Sequence, residues 1–147
     1  MAEPHVHILM GTKNGGMFLA DQLASIRGQS HQDWSLWASD DGSTDGTWEA
    51  LENFKAETSH HDIHLLKGPQ RGVAANYYKL LRNHELDGKW VAFSDQDDVW
   101  LPHKLSRAVA LVGRLGGRCV YSSRSYYVDQ TGERLGTSPT LNRPYRF

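Results

Sequence analysis

The sequence predicts an α/β fold with a mostly parallel sheet flanked by helices. Three observations carry that prediction. Short apolar runs alternate with longer segments of helical period, polar or acidic turns follow the runs, and no repeat, low-complexity tract or linker divides the 147 residues.

The elements follow in order. Val6–Met10 is a strand-like run that stops at Gly11, and Phe18, Leu19, Leu23 and Ile26 then recur at helical spacing up to Gly28. Trp34–Ser39 reads as the second strand. The turn residues 40–46 lead to a helix marked by Trp48, Leu51 and Phe54, which Thr44 or Asp45 could cap. Ile63–Leu66 is a third strand, and residues 73–81 carry helical spacing. Trp90–Ser94, aromatic and β-branched, reads as the clearest buried strand. Pro102 suits the first turn of a helix with Leu105, Val109 and Val112 that ends near Gly116-Gly117. Cys119–Tyr121 and Tyr126–Val128 read as two further strands, Val128–Glu133 as a hairpin, and the last ten residues as loop or tail.

Composition narrows the function classes. The chain is 39% hydrophobic and 22% charged, as soluble globular domains are, and its 16 basic and 17 acidic residues offer no electrostatic case for nucleic acid. No apolar stretch reaches the ~20 residues of a spanning helix, and Met1–Pro4 is no start for a signal peptide. The single Cys119 excludes an internal disulfide, fits a reducing cytoplasm and reads as a small buried residue.

In parallel sheets ligands bind outside the carboxyl ends of the strands, so the residues after each strand matter most. Here they are Gly11–Asn14, Asp40-Asp41, Gly68–Arg71 and Asp95-Gln96-Asp97-Asp98, which could converge on one cleft. Three carboxylates within four residues repel one another unless a cation or solvent screens them, and they suit Mg²⁺ or Mn²⁺ bridging a diphosphate. The plainer alternative is that Asp97 or Asp98 caps the helix entered at Pro102. Asp41, Ser43, Asp45, Gly46 and Glu52 match the spacing of an EF-hand loop, but a strand-like run precedes them where a helix is needed. Neither a G-x-G-x-x-G turn after the first strand nor a P-loop occurs, so phosphate would fall to a metal, helix N-termini, or Lys13 and Arg71. His60, His61 and His64 read as a solvated loop entering a strand rather than a zinc site. His5 and His7 read as sheet-edge residues, and Trp34, Trp37, Trp48 and Trp90 as core.

Four stretches carry a resemblance. His7–Gly15, Ser39–Gly46 (SDDGSTDG), Arg71–Asn76 and Phe93–Pro102 (FSDQDDVWLP) resemble, in order and spacing, the N-terminal half of family 2 glycosyltransferases of the GT-A fold, over about residues 5–115. SDQDDVWLP looks most like the subset that includes bacterial rhamnosyltransferases. The resemblance implies one Rossmann-like GT-A domain over 1–147, with a nucleotide-sugar-binding core at 5–115 and an incomplete acceptor-side extension and tail at 116–147, a truncated form of the family's fold. It implies a nucleotide-diphospho-sugar donor, a saccharide or lipid-linked saccharide acceptor, and inverting transfer with Mg²⁺ or Mn²⁺ in polysaccharide biosynthesis. Asp41, with Asp40 beside it, would bond the base, and Thr12, Lys13 and Asn14 would pack on the nucleoside. Asp95 and Asp97 would form the D-x-D metal motif, with Asp95 and Asp98 beside the donor and Arg71 and Asn76 close to it. The family usually has Tyr at Lys13, so a charge near the phosphates replaces stacking. After Asp98 the only carboxylates are Asp129 and Glu133, neither in a copy of the family's catalytic motif, so no general base is assigned. The alternatives are a donor-binding module without transfer and a generic α/β binding domain. A cytoplasmic location, including the inner face of the membrane, and a homodimer covering an exposed apolar face complete the expectations.

Overall fold

The computed structural model describes residues 4–86, 90–115 and 118–140. Met1–Glu3, Gly116-Gly117 and Pro144 lie outside them. Its elements are β1 (Val6–Thr12), α1 (Leu19–Arg27), β2 (Trp34–Asp40), α2 (Thr47–Glu57), β3 (Ile63–Lys67), α3 (Val73–Leu81), a 3-10 turn at His84–Leu86, β4 (Trp90–Ser94), α4 (Lys104–Leu115), β5 (Tyr126–Val128) and β6 (Arg134–Thr137). Two compact units are distinguished, Met1–Ala110 and Leu111–Phe147.

The first unit holds the parallel sheet, in the order β3-β2-β1-β4. The strand period of two sends alternate residues to opposite faces. Val6, Ile8 and Met10 of β1 and Trp34, Leu36 and Ala38 of β2 pack with α1, α2 and Trp100 on one face, together with Leu105 and Val109. Leu9 and Trp37 point the other way, toward Leu80 of α3 and Leu86. In the second unit β5 and β6 form an antiparallel hairpin, whose turn is organised by Asp129 Oδ1 accepting from the amides of Thr131 (2.8 Å) and Glu133 (2.9 Å).

Several expectations are corrected. β1 runs on through Gly11 and Thr12, because Gly11 pairs with Ser39 and Thr12 with Asp40. β4 is not the most buried strand. It lies at the sheet edge, with Phe93 57% exposed and Val91 also exposed, while β1 and β2 occupy the interior. For the same reason His7 is buried inside the sheet rather than at its edge: its Nδ1 lies 2.7 Å from Ser35 Oγ, and His5 Nδ1 lies 2.6 Å from Asp33 Oδ1. Cys119–Tyr121 is not a strand, and Cys119 is exposed. β6 is the returning strand of the hairpin expected at Val128–Glu133 and begins just after it. The N-cap of α2 is Gly46. Asp45, one residue further out, accepts from the Thr47 amide at 3.0 Å, and Thr44 does not cap. His61 and His64 are packed rather than solvated, stacked on Trp34 and Trp37 with ring centroids 3.7 Å apart in both pairs.

The burial difference between β2 and β4 is measurable. Leu36→Ala is expected to lower the unfolding free energy by about 2–5 kcal/mol. Val91→Ala should stay within about 0.5 kcal/mol. Urea unfolding of both variants checks the contrast.

Candidate functional site

The carboxyl ends of β1, β2 and β4 and the start of α3 surround a cavity of about 290 Å³. Gly11, Thr12 and Lys13 line it from the end of β1, and Asp41 from the end of β2. Gly72, Val73 and Asn76 enter from α3, and Asp95, Gln96 and Asp97 from the turn after β4. The parallel arrangement makes this possible, since it delivers every strand's carboxyl end to one side of the sheet.

The two adjacent aspartates at the carboxyl end of β2 serve different places. Asp40 is buried and turned inward. Its Oδ1 accepts from Thr12 Oγ1 (3.0 Å) and Ser43 Oγ (2.5 Å), and its Oδ2 from the Ser43 amide (3.0 Å). Asp41 faces the cavity, and its two oxygens accept the amides of Gln70 (2.6 Å) and Gly72 (2.9 Å). Gly42 follows at φ +84°, a conformation that suits glycine and lets the chain turn away.

Gly68 sits so close beneath that a Cβ there would lie 2.7 Å from both Asp41 Cα and Asn76 Oδ1. Asn76 is itself buried. It accepts from Ser39 Oγ and donates to the Ser39 carbonyl, both at 2.6 Å, which pins α3 to the end of β2.

Lys13 joins three loops. Its Nζ donates to the carbonyls of Asp41 (3.1 Å) and Gly42 (2.5 Å). Its backbone N–H donates to Gln96 Oε1 (2.8 Å), and its carbonyl accepts from Gln96 Nε2 (3.1 Å). Asn14 is turned toward the neighbouring loop, where its amide donates to Ser43 Oγ and its Oδ1 accepts from the Thr44 amide. Arg71 and Asp98 are exposed, and neither they nor Asn14 and Asp40 line the cavity.

The acidic turn is held from below. With the Gln22 carboxamide oriented to satisfy both its ends, the nitrogen donates to the Asp98 carbonyl, and the oxygen accepts from Trp100 Nε1 and Ser94 Oγ. Tyr77 supports it from α3, donating to the Ser94 carbonyl at 2.7 Å with Asp95 Oδ1 3.3 Å away. Burial, with help from the nearby Asp95, pushes the Tyr77 hydroxyl up to about 12, so it remains a donor. Although its surface is exposed, Asp98 is raised above the ordinary carboxylate value, first by partial desolvation of its carboxyl group and then by the charges of Asp95 and Asp97, with Lys104 opposing. Among the described residues no group of three His, Cys, Asp or Glu is arranged to hold a metal ion.

Thus the structure brings Thr12, Lys13, Asp41, Asn76, Asp95 and Asp97 to one cavity, while Asn14, Asp40, Arg71 and Asp98 lie around it. Gln70, Gly72, Tyr77 and Gln96 had no sequence assignment.

A model of glycosyl transferase family 2 matches residues 7–147. The chain belongs to that family. This family 2 domain is 34% identical over 123 residues to the dTDP-rhamnosyl transferase RfbG of Shigella flexneri, a match covering 80% of the domain and 42% of the relative. It is 31% identical over 108 residues to the UDP-Glc:alpha-D-GlcNAc-diphosphoundecaprenol beta-1,3-glucosyltransferase WfgD of Escherichia coli, covering 73% of the domain and 40% of the relative. The domain therefore spans less than half the length of these relatives. In fold it is similar to the mannosyltransferase PcManGT of Pyrobaculum calidifontis, solved with GDP-Man and Mn²⁺, at a TM-score of 0.65 and 24% identity over 76% of the domain and 32% of that chain. The S. aureus TarS 1-349 structure with UDP aligns at a TM-score of 0.60 and 20% identity over 75% of the domain and 32% of that chain. The fold is the GT-A fold that the resemblance implied.

Two outcomes test the loop geometry. Gly68→Ala should cost about 1–3 kcal/mol, because the added methyl meets the Asp41 backbone as well as the hydrogen-bonded side chains of Asp41 and Asn76. Urea unfolding measures it. Asp45 should titrate below its ordinary 3.8, because the Thr47 hydroxyl bonds the ionised form. The stabilisation is present above that value and lost as pH falls through the folded pKa. Carbon-13 NMR titration should show the midpoint rising toward 3.8 in Thr47→Val.

Proposed function

We propose that the domain binds a nucleotide-diphospho-sugar and forms the donor side of an inverting, metal-dependent sugar transfer to a saccharide or lipid-linked saccharide acceptor. The convergence of Asp41, Asp95 and Asp97 on one cavity carries this reading. The names of the relatives support it: one specifies a dTDP-rhamnosyl donor and another a UDP-glucose donor with a diphosphoundecaprenol-linked acceptor. A cytoplasmic location, at the membrane face where such an acceptor would lie, belongs to the same reading.

In this reading Asp41 receives the base. A carboxylate has about four lone-pair sites, so the amides of Gln70 and Gly72 leave acceptor capacity for a base imide N–H. Asp40 and Asn14 shape the loop rather than touch the ligand, and Thr12 lines the nucleoside end. Lys13 commits two of its three N–H groups to carbonyls and keeps one for the phosphates. Asn76 and Arg71 lie near the donor at the start of α3, and Asp98 toward the sugar.

Asp95 and Asp97 fit a hard divalent cation, because such ions are commonly held by one or two carboxylates completed by substrate phosphates and water. The clustered carboxylates of Asp95, Asp97 and Asp98 are a charge excess that a cation would relieve. Bound there, Mg²⁺ or Mn²⁺ would supply charge neutralisation for the departing diphosphate. Inversion also needs a carboxylate or other base on the acceptor side, and the described residues assign none.

Calorimetry with dTDP, UDP and GDP, with and without Mn²⁺, tests the reading. Binding of one of them should strengthen with Mn²⁺, and Asp97→Ala should remove at least about tenfold of that gain. Affinity indifferent to both the metal and the substitution would overturn it. Donor binding without transfer or donor hydrolysis would favour a binding module.

A further inference from the structure

The Gln96 side chain makes an unusual connection. It bonds both backbone groups of Lys13, accepting at 2.8 Å and donating at 3.1 Å, as a neighbouring strand would. β1 and β4 cease pairing at Met10 and Ser94, so the carboxamide restores two cross-links between the chains beyond the end of the ladder. Gln96 also lies over Gly15, where a Cβ would come within 2.3 Å of its Oε1. It therefore joins the turn carrying Lys13 to the turn carrying Asp95 and Asp97.

We infer that Gln96 is a positioning residue that fixes the spacing between the nucleoside end and the diphosphate end of the cavity. This rests on the donor-binding reading. A nucleoside alone would engage the turns after β1 and β2, whereas a nucleoside diphosphate with a cation must engage those and the acidic turn together. Holding the two turns at their working separation removes an ordering cost from the longer ligand only. Two hydrogen bonds of ordinary worth correspond to about tenfold in affinity.

Gln96→Met keeps the length of the side chain and its cover over Gly15 while removing both bonds. Affinity for UDP and dTDP in Mn²⁺, by calorimetry, should fall about tenfold. Affinity for uridine and thymidine, by NMR titration, should change less than about twofold. In the ligand-free protein the Lys13 amide should exchange about tenfold faster while Ile8 in β1 keeps its protection. An unaltered Lys13 exchange rate, or equal losses for nucleoside and nucleoside diphosphate, would overturn the inference. Faster exchange at Ile8 as well would assign Gln96 a merely structural role and also overturn it. If the wild-type domain binds no nucleoside diphosphate, the donor reading fails separately, and with it the spacing role.

Discussion

The Asp41 carboxylate is the interaction on which the ligand side of this domain depends. Held between the amides of Gln70 and Gly72, it ties the end of β2 to the turn that opens α3. The backbone at Asp41 and Gly42 in turn accepts from Lys13, and the Lys13 backbone is bonded by Gln96. One unbroken chain of hydrogen bonds thereby links the turns after all four parallel strands. Loops at a strand end have backbone groups that the ladder no longer satisfies, and here they satisfy one another through side chains. The result is a cavity whose walls are fixed by polar bonds above a sheet fixed by apolar packing.

Between those layers, the side chains that cross from one to the other are buried and paired. Asn76 meets the hydroxyl and the carbonyl of Ser39, and Gln22 meets the acidic turn from beneath. Leaving one of a pair unsatisfied in such places costs more than the bond itself contributes, which makes these residues architectural even where, as at Asn76, they line the cavity. Gly68 belongs with them, since its missing side chain is the space Asp41 and Asn76 occupy.

Much of the first unit was legible because its periodicity is strong. Val6, Ile8 and Met10 alternate as a strand should, and Leu19, Leu23 and Ile26 mark one helix face. Edge or interior position is not a local property, which is why β4 read as buried and His7 as peripheral: both depend on the order β3-β2-β1-β4. The strand-end carboxylates were visible as a group, but their division was not. Loop side chains follow no period, so nothing in the pair Asp40-Asp41 says which turns inward. Gln96 escaped notice because a neutral amide announces no chemistry until its backbone partner is known. Cys119 was misjudged for want of any packing partner in the sequence pattern.

The sheet order also bears on how the chain is made. β1 takes β2 as one neighbour soon after synthesis, but its other neighbour is distant: Val6 pairs with Trp90. At about 5–20 residues per second, a ribosome needs roughly 4–17 s to cover that interval. Throughout it, one side of the central strand carries backbone donors and acceptors without their final partner. The acidic turn follows β4 directly, so the ligand side acquires its last wall only when the longest loop in the sheet has closed. Completion of the cavity thus depends on the strand pairing of greatest sequence separation in the sheet.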